Sequence, residues 1–362
     1  MANFGTNTGE KFAKNTLKIF FERAIAPDIT NQDYEGEIKG GGADRLSVLT
    51  FEALSLKNYT GSAMSVDTPS ESEAQLVVNQ KKAYYFQIES FAKFTSYVED
   101  AESTLIQTAG KTLARTVDNF VLGLYGDVAS GNRVGTDYTT GTVEVTTSTG
   151  AVTGSGTTFT SAMVGLGFKA TGHSVWYRVK TYSSSTAIVI EDDKDDVTSA
   201  YTGGAIGAGA TYIIEANTAI TVSKTTIFDY LVDLKTKLDE DEIPAEDRWA
   251  VFPPAIANLL LKSAQLQTAV STAYEDVIKK GIIGYVAGFK VYSNNQVSGN
   301  NTTGYYCLAG HKSFITMAMA FTESDVEPFI GGFGQNFKGL NCYGAKVADE
   351  RRKAGAYLFA KV

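Results

Sequence analysis

Histidine and cysteine are scarce in this 362-residue chain, at two each, and proline is rare at six. His173 and His311 stand alone, with no GxSxG serine or paired cysteine in a recognisable frame, so the usual nucleophile–base arrangements are missing. Cys307 and Cys342 are too few for a disulfide framework and lack metal-ligand spacing, which makes a reducing compartment the expectation. Positive charge is in deficit: 32 Lys and Arg face 40 Asp and Glu, for a net charge of -8. That excludes a dedicated nucleic-acid binder, though not a local basic face. Long apolar runs are absent too. The stretch Leu259 to Leu261 is far short of the roughly 20 residues a membrane span needs, and the opening MANFGTNTGEKFAKNTL lacks the apolar core of a secretory signal.

What is present is an ordinary globular balance, 43% apolar and 20% charged, in a chain long enough for two or three domains. Its organising stretch is Ser96 to Tyr125. Ile106, Ala109, Leu113, Val117, Phe120 and Leu124 recur three and four apart, one stripe of a long α-helix. Ser96 with Glu99 forms a capping box, and Gly123 and Gly126 are stop signals. At 1.5 Å per residue the helix would run about 45 Å. Gly110 inside it costs about 1 kcal/mol relative to alanine, so the helix depends on packing. With the stripe against the helix's own domain, Arg115 and Asp118 are expected to be left on the side away from that domain.

Before this helix, LKIFFERAIAP reads as a short helix ended by Pro27, in an arm that needs a surface to hold it. Alternation at Leu46 to Phe51 and again at Ala74 to Ile88 predicts two antiparallel strands carrying a long projecting loop, SLKNYTGSAMSVDTPSESE. After the helix the composition changes. Residues 136–216 are rich in Thr, Gly, Ser and Val, hold no proline and a single leucine, Leu166. Short runs such as TVEVTT, VWYRVKTY, TAIVIED and ATYIIEA predict a small all-β unit, sandwich or barrel, inserted between helix-forming neighbours. Such an insertion costs its host little if its ends lie close together.

From Asn217 the pattern is α/β. Ser223 is the expected cap of a helix with the stripe Ile227, Leu231, Leu234 and Leu238. The acidic turn LDEDEIPAEDR follows, then WAVF as a buried strand, then PAIANLLL as a helix opened by Pro254. IIGYVAGFKVYSNN reads as two strand pieces joined by a turn, and the chain beyond Tyr305 as mostly strand. Searches for chemistry return little. GGGADR at Gly40 to Arg45 does not complete a phosphate loop, nor do the glycines at Gly331 to Gly334. EDDKDD at Glu191 to Asp196 lacks the spaced ligands of a calcium loop and reads as a solvated hairpin turn. His173 reads as a surface residue, and Arg351, Arg352 and Lys353 as a charged turn.

The order of these parts resembles the major capsid protein of tailed bacteriophages, the HK97-type shell fold, nearest to the coat proteins of short-tailed phages. Three stretches carry the resemblance: YYFQIESFAKFTSYVEDAESTLIQTAGKTLARTVDNFVLG, IPAEDRWAVFPPAIANLLL and IIGYVAGFKVYSNN. It implies an α+β fold with an N-terminal arm at 1–33 and an extended β loop with the start of a peripheral domain at 34–90. The spine helix of that domain would lie at 91–135, the inserted β domain at 136–216 and an axial domain at 217–304. Strands at 305–362 would complete both domains. The implied function is structural and non-enzymatic: a virion subunit, assembled in the host cytoplasm, that associates with itself in hexamers and pentamers around double-stranded DNA. No cofactor, metal or membrane is implied. A separate scaffolding protein, a portal and a decoration protein are the expected partners, since the N-terminus offers no long helical prodomain. Leu113, Val117 and Phe120 on the spine are the expected assembly residues. Family members that cross-link use a lysine and an asparagine, and Lys57 and Asn58 lie in the corresponding loop. The rival readings are a bacterial protein-compartment shell and a tail or adhesion protein whose β unit binds carbohydrate.

Overall fold

The computed structural model describes residues 24–33, 45–51, 66, 71–89, 101–194, 200–263, 282–328 and 332–362. Its first element is a single turn, α1 (Ala26–Ile29). The sequence pattern puts Pro27 at a helix end, but the structure puts it in this first turn. There the N–H that proline lacks would have had no intrahelical partner. β1 (Arg45–Phe51) and β2 (Glu71–Val77) then pair antiparallel along their whole length, the expected stem of the projecting loop, and β3 (Gln80–Glu89) follows. The long helix, α2 (Ala101–Leu122), has 22 residues and so runs about 33 Å. At Gly123 it tightens into a 3-10 turn, Gly123–Asp127, where the glycines predict its end. The capping pair Ser96 and Glu99 lies outside the described residues.

Ten short strands come next: β4 (Arg133–Val134), β5 (Thr136–Tyr138), β6 (Thr142–Val145), β7 (Ala151–Ser155), β8 (Gly167–Ala170), β9 (Tyr177–Ser184), β10 (Ala187–Asp192), β11 (Ile206–Ala210), β12 (Tyr212–Thr218) and β13 (Ile220–Thr221). Eight of them, β5 to β12, make one sheet in the order β11-β6-β7-β10-β9-β8-β12-β5. Only Thr211 separates β11 from β12, yet they are first and seventh in that order. In a flat sheet they would lie roughly 29 Å apart, whereas two residue steps reach about 7 Å. The sheet therefore curls on itself. Inside it sits one core, with Val143, Val152, Phe168, Val179, Ile188, Ile190, Tyr212 and Ile214 at its centre.

The chain continues through α3 (Ile227–Glu240), β14 (Arg248–Phe252), α4 (Pro254–Leu261), β15 (Ile282–Val286), β16 (Phe289–Ser293), β17 (Gly299–Asn300), β18 (Gly304–His311), β19 (Thr316–Pro328), β20 (Gly334–Lys346) and β21 (Gly355–Lys361). Ser223 stands before α3 without capping it. Thr226 is the cap residue; Ser223 accepts the Thr226 and Ile227 N–H groups through its carbonyl, and its hydroxyl accepts the Thr225 N–H at 3.4 Å and bonds the Thr225 and Thr226 hydroxyls. Ala287 and Gly288 both take positive φ, 51° and 88°, the tight turn that a two-residue hairpin between β15 and β16 requires.

The central sheet runs β13-β21-β18-β14-β16-β15, and all five residues of β14, which includes WAVF, are buried. Its side chains alternate between two cores. Ala250 and Phe252 join the stripe of α3 and the buried face of α4. Trp249 and Val251 join Leu113, Val117 and Val121 of α2 on the opposite face. A third sheet, β19-β20-β3, is built on the 13-residue strands β19 and β20. Met317 and Tyr343 from its near end enter the α2 core, so the helix braces two sheets at once.

Candidate assembly surfaces

The expected assembly residues on α2 point inward. Val117 and Leu113 are buried, and the partly buried Phe120 sets its ring edge-on to Tyr343 at 5.6 Å. They hold the helix to its own subunit. Lys57 and Asn58 lie outside the described residues. Arg115 is exposed, as the pattern predicts, but Asp118 is not. At 4% exposure it accepts the Ile25 N–H (3.0 Å) and the Ala26 N–H (2.9 Å) on Oδ1, and the Asn294 Nδ2 (2.8 Å) on Oδ2. A turn that starts over the helix brings N–H groups with no helical partner, and a carboxylate is the acceptor that satisfies two of them. Burial pushes the Asp118 carboxyl up to about 6, against the pull of those hydrogen bonds. One signal was available in the sequence: Ala114, Val121 and Leu122, four before and three and four after, are all apolar.

Among the described residues, two outer strands carry exposed aromatic side chains. β3 is an outer strand of the long sheet, and Tyr85 on it is 67% exposed. Phe333, in the loop that joins β19 to β20, is 88% exposed. β15 is an outer strand of the central sheet, and its Tyr285 is 79% exposed. Open edges carry unpaired N–H and C=O groups that can template another chain, and exposed aromatic rings add apolar area to such a contact. On the long hairpin the Lys338 ammonium meets Glu327 and Asp325, the latter at 3.3 Å. Charges of this kind limit indiscriminate pairing.

A third feature lies where the curled sheet meets the rest. Arg352, expected in a charged turn, is buried and donates to the Asp127 carbonyl (2.9 Å), the Asp193 carbonyl (2.9 Å) and the Asp193 carboxylate (2.6 Å). Asp193 also accepts the Ser130 N–H at 2.6 Å, so this part of the acidic run is a buried clasp and not a solvated turn. Although burial opposes ionisation, the Arg352 charge and these hydrogen bonds hold the Asp193 carboxyl below the usual range. Beside it, Arg133 donates to the Val128 and Gly165 carbonyls and lies 3.4 Å from Glu215. Glu215 accepts the Gly131 N–H at 2.7 Å, and burial pushes its carboxyl up to about 8 in spite of Arg133. Gly131 has φ +101°, and a Cβ there would stand 2.8 Å from the Trp176 indole nitrogen. Around these groups opens a cleft of about 500 Å³, lined by Trp176, Lys237, Glu240, Asp241 and Arg352 among others.

Among the described residues, both histidines are held by local hydrogen bonds. His173 is half-buried, not on the open surface: its Nε2 donates to the Tyr201 hydroxyl (2.9 Å), which itself donates to the Gly204 carbonyl, and its Nδ1 accepts the Ala170 N–H. His311 Nδ1 accepts both the Ser313 hydroxyl (2.8 Å) and the Ser313 N–H (3.1 Å), a local turn lock whose nitrogen is already occupied. Among the described residues, no group of three or more His, Cys, Asp or Glu side chains could hold a metal ion. No helix among them is long and apolar enough to cross a membrane.

No family model matches the chain, and no curated protein matches it by sequence. Solved structures do. A Mycobacterium phage Che8 structure superposes with a TM-score of 0.56 at 15% identity, covering 92% of this chain and 89% of that one. The capsid of Ralstonia phage GP4 gives 0.53 at 11% identity, over 95% and 91%. The capsid structure of cyanophage P-SCSP1u gives 0.51 at 13%, over 88% and 84%. The chain thus has an HK97-like capsid fold, mixed α and β with strands predominant.

Proposed function

We propose that this chain is the structural subunit of an icosahedral phage shell, which self-associates into hexamers and pentamers around double-stranded DNA. The observation that carries the reading is the likeness to phage capsid structures along nearly the full length of both partners, 95% and 91% for the capsid of Ralstonia phage GP4. The open strand edges with Tyr85, Tyr285 and Phe333 support it, because like subunits in a ring need heterologous contacts on two different sides. In this reading residues 1–33 are an arm and 34–90 an extended loop with the start of the peripheral domain. α2 is the spine of that domain, within 91–135. Residues 217–304 are the axial domain, and 305–362 complete both. Residues 136–216 are an inserted β domain on the outer surface, bracing neighbouring capsomers or attaching to external material. Its ends meet, which supports the insertion: a Cβ on Gly135 would lie 2.6 Å from the Ala216 Cα. Leu113, Val117 and Phe120 act in assembly by fixing the spine, and Lys57 and Asn58 belong to the loop that reaches a neighbour. The role is non-enzymatic, with a separate scaffold, a portal and a decoration protein as partners, and the virion as its place.

Negative-stain micrographs and sedimentation of the overexpressed protein, alone and with its phage's scaffold, test this. Closed shells or rings of five and six are expected. A protein that stays monomeric at high concentration in both conditions, while its β unit alone binds a glycan, would sink the shell reading in favour of an adhesion protein. Particles filled with protein cargo and no DNA would make it a compartment shell.

A further inference from the structure

Phe333 stands almost wholly exposed in the loop that closes the β19–β20 hairpin. At the other end of that hairpin, Met317 and Tyr343 sit in the α2 core together with Ile25 and Ala114. The extended strand from residue 317 to residue 328 spans about 36 Å, so the ring is far from the base of its own subunit. At that base is a cavity of about 220 Å³, lined by Ile25, Ala114, the exposed Lys111 and Arg115, the buried Asp118 and the turn Ser293 to Gln296. A cavity of about 150 Å³ admits a benzene ring, so this one has room for a phenyl side chain. Ile25 and Ala114 offer such a ring apolar contact, and Lys111 and Arg115 supply cations that can lie over its face.

The charges are complementary. Asp325 and Glu327 share the single ammonium of Lys338, and Glu89 stands opposite Gly334 in register, so the tip end of the long sheet is acidic. At the cavity the Asp118 carboxylate is taken up by the Ile25 and Ala26 N–H groups and the Asn294 amide, and Asp28 is met by Lys290. Lys111 and Arg115 are left to set a positive field there. The larger cleft beside Trp176 has the wrong sign for this hairpin: Asp193, Glu240, Asp241, Asp349 and Glu350 line it against three cations.

We propose that Phe333 of one subunit seats in the cavity beside Ala114 of a second copy, with the acidic hairpin lying against Lys111 and Arg115. Knob and socket stand at opposite ends of one sheet, so the contact is heterologous. Each subunit gives its tip to one neighbour and takes a tip from another, and such a series closes into a ring when the rotation between copies allows. The inference rests on the shell reading for the identity of the partner, and adds to it which two surfaces meet.

Assembly of the full chain, followed by sedimentation and by cross-linking, tests the contact. Gly332→Cys with Asn295→Cys leaves Phe333, Lys111 and Arg115 in place and sets one thiol at the tip and one at the cavity. Cys307 and Cys342 are buried, so a short bismaleimide reacts with the introduced thiols. Particles of the double variant should give a ladder of covalent oligomers, and neither single variant should. Lys111→Glu with Arg115→Glu should raise the concentration at which particles form about tenfold or more. Reversing the hairpin as well, with Asp325→Lys, Glu327→Lys and Lys338→Glu, should bring it back. A wild type that forms no particles fails the shell reading, and this contact with it. Wild-type particles whose double variant assembles without a ladder, or whose Gly332→Cys variant cross-links alone, overturn the contact and leave the shell reading standing. So does a reversed cavity that assembles unchanged, or a loss that reversing the hairpin does not recover. Should the cysteine variants not assemble, the charge exchange decides.

Discussion

Arg352 and Asp193 are 159 residues apart in sequence and 2.6 Å apart in space, with side chains almost wholly withdrawn from water. Removing one partner strands the other, which typically costs about 3–5 kcal/mol for a buried pair, whereas removing both costs much less. Arg352→Met should therefore lower the urea midpoint markedly, and Arg352→Met with Asp193→Asn should recover most of the loss. Equal losses in single and double variants would mean that the pair is not coupled. Glu215 makes the opposite kind of prediction. Its carboxyl rises from 4.5 to about 8 on folding, so the folded chain binds that proton more tightly than the unfolded one. Its contribution is full below about pH 4.5 and is lost as pH climbs through 8. Glu215→Gln should match or trail the wild type at pH 5 and gain on it steadily toward pH 9, read from urea midpoints at each pH. Neither group was legible in the sequence. A charge in a run such as EDDKDD carries no mark of the guanidinium it will meet, because that partner is chosen by tertiary packing. Asp118 was half legible, since its apolar neighbours at helical spacing were there to be read.

At the scale of elements, periodicity served well where one face is buried. Leu113 and Val117 of the α2 stripe, the α3 stripe and β14 stand where spacing put them, because a face that must leave water dictates its own repeat; Ala109, Phe120 and Leu124 are only half-buried, and Ala114, Val121 and Leu122 complete the buried face of α2. The curled sheet was legible in composition and in the short runs that became β6, β9, β10 and β12, but not in its strand order, which depends on connections such as the single residue Thr211. Helix starts were read less well. Pro27 opens its helix instead of ending it, and Ser223 lies three residues ahead of the cap, since capping is settled by which N–H groups the surroundings satisfy. Two predictions belong here. Leu113→Asp or Phe120→Asp should abolish assembly by burying an unpaired charge under the spine, visible as the loss of particles in micrographs. Replacing 137–215 with two glycines should leave a soluble remainder with one cooperative unfolding transition, as the joined ends are already neighbours. Arg133 and Arg352 would then face water instead of lacking a buried partner. A molten product would show that the curled sheet is needed for folding the rest.

For the whole molecule, the exposed aromatics separate stability from association. Phe333→Ser should change the monomer's stability by no more than about 0.5 kcal/mol, yet raise the concentration at which particles form. Unchanged assembly would remove the hairpin tip from the contact. A different consequence follows from β21. β18 flanks it on one side, and the other is shared by β4 and β13, so Arg133 must wait for Tyr357, some 220 residues later in synthesis. While the ribosome is still working through that interval, the first strand of the pair has no sheet to enter and the apolar face of α2 has only part of its cover. The nascent chain thus spends most of its synthesis unable to complete its central sheet. Growth rate, chaperone supply and codon choice downstream of residue 133 should then govern the yield of soluble protein more than any substitution on its surface.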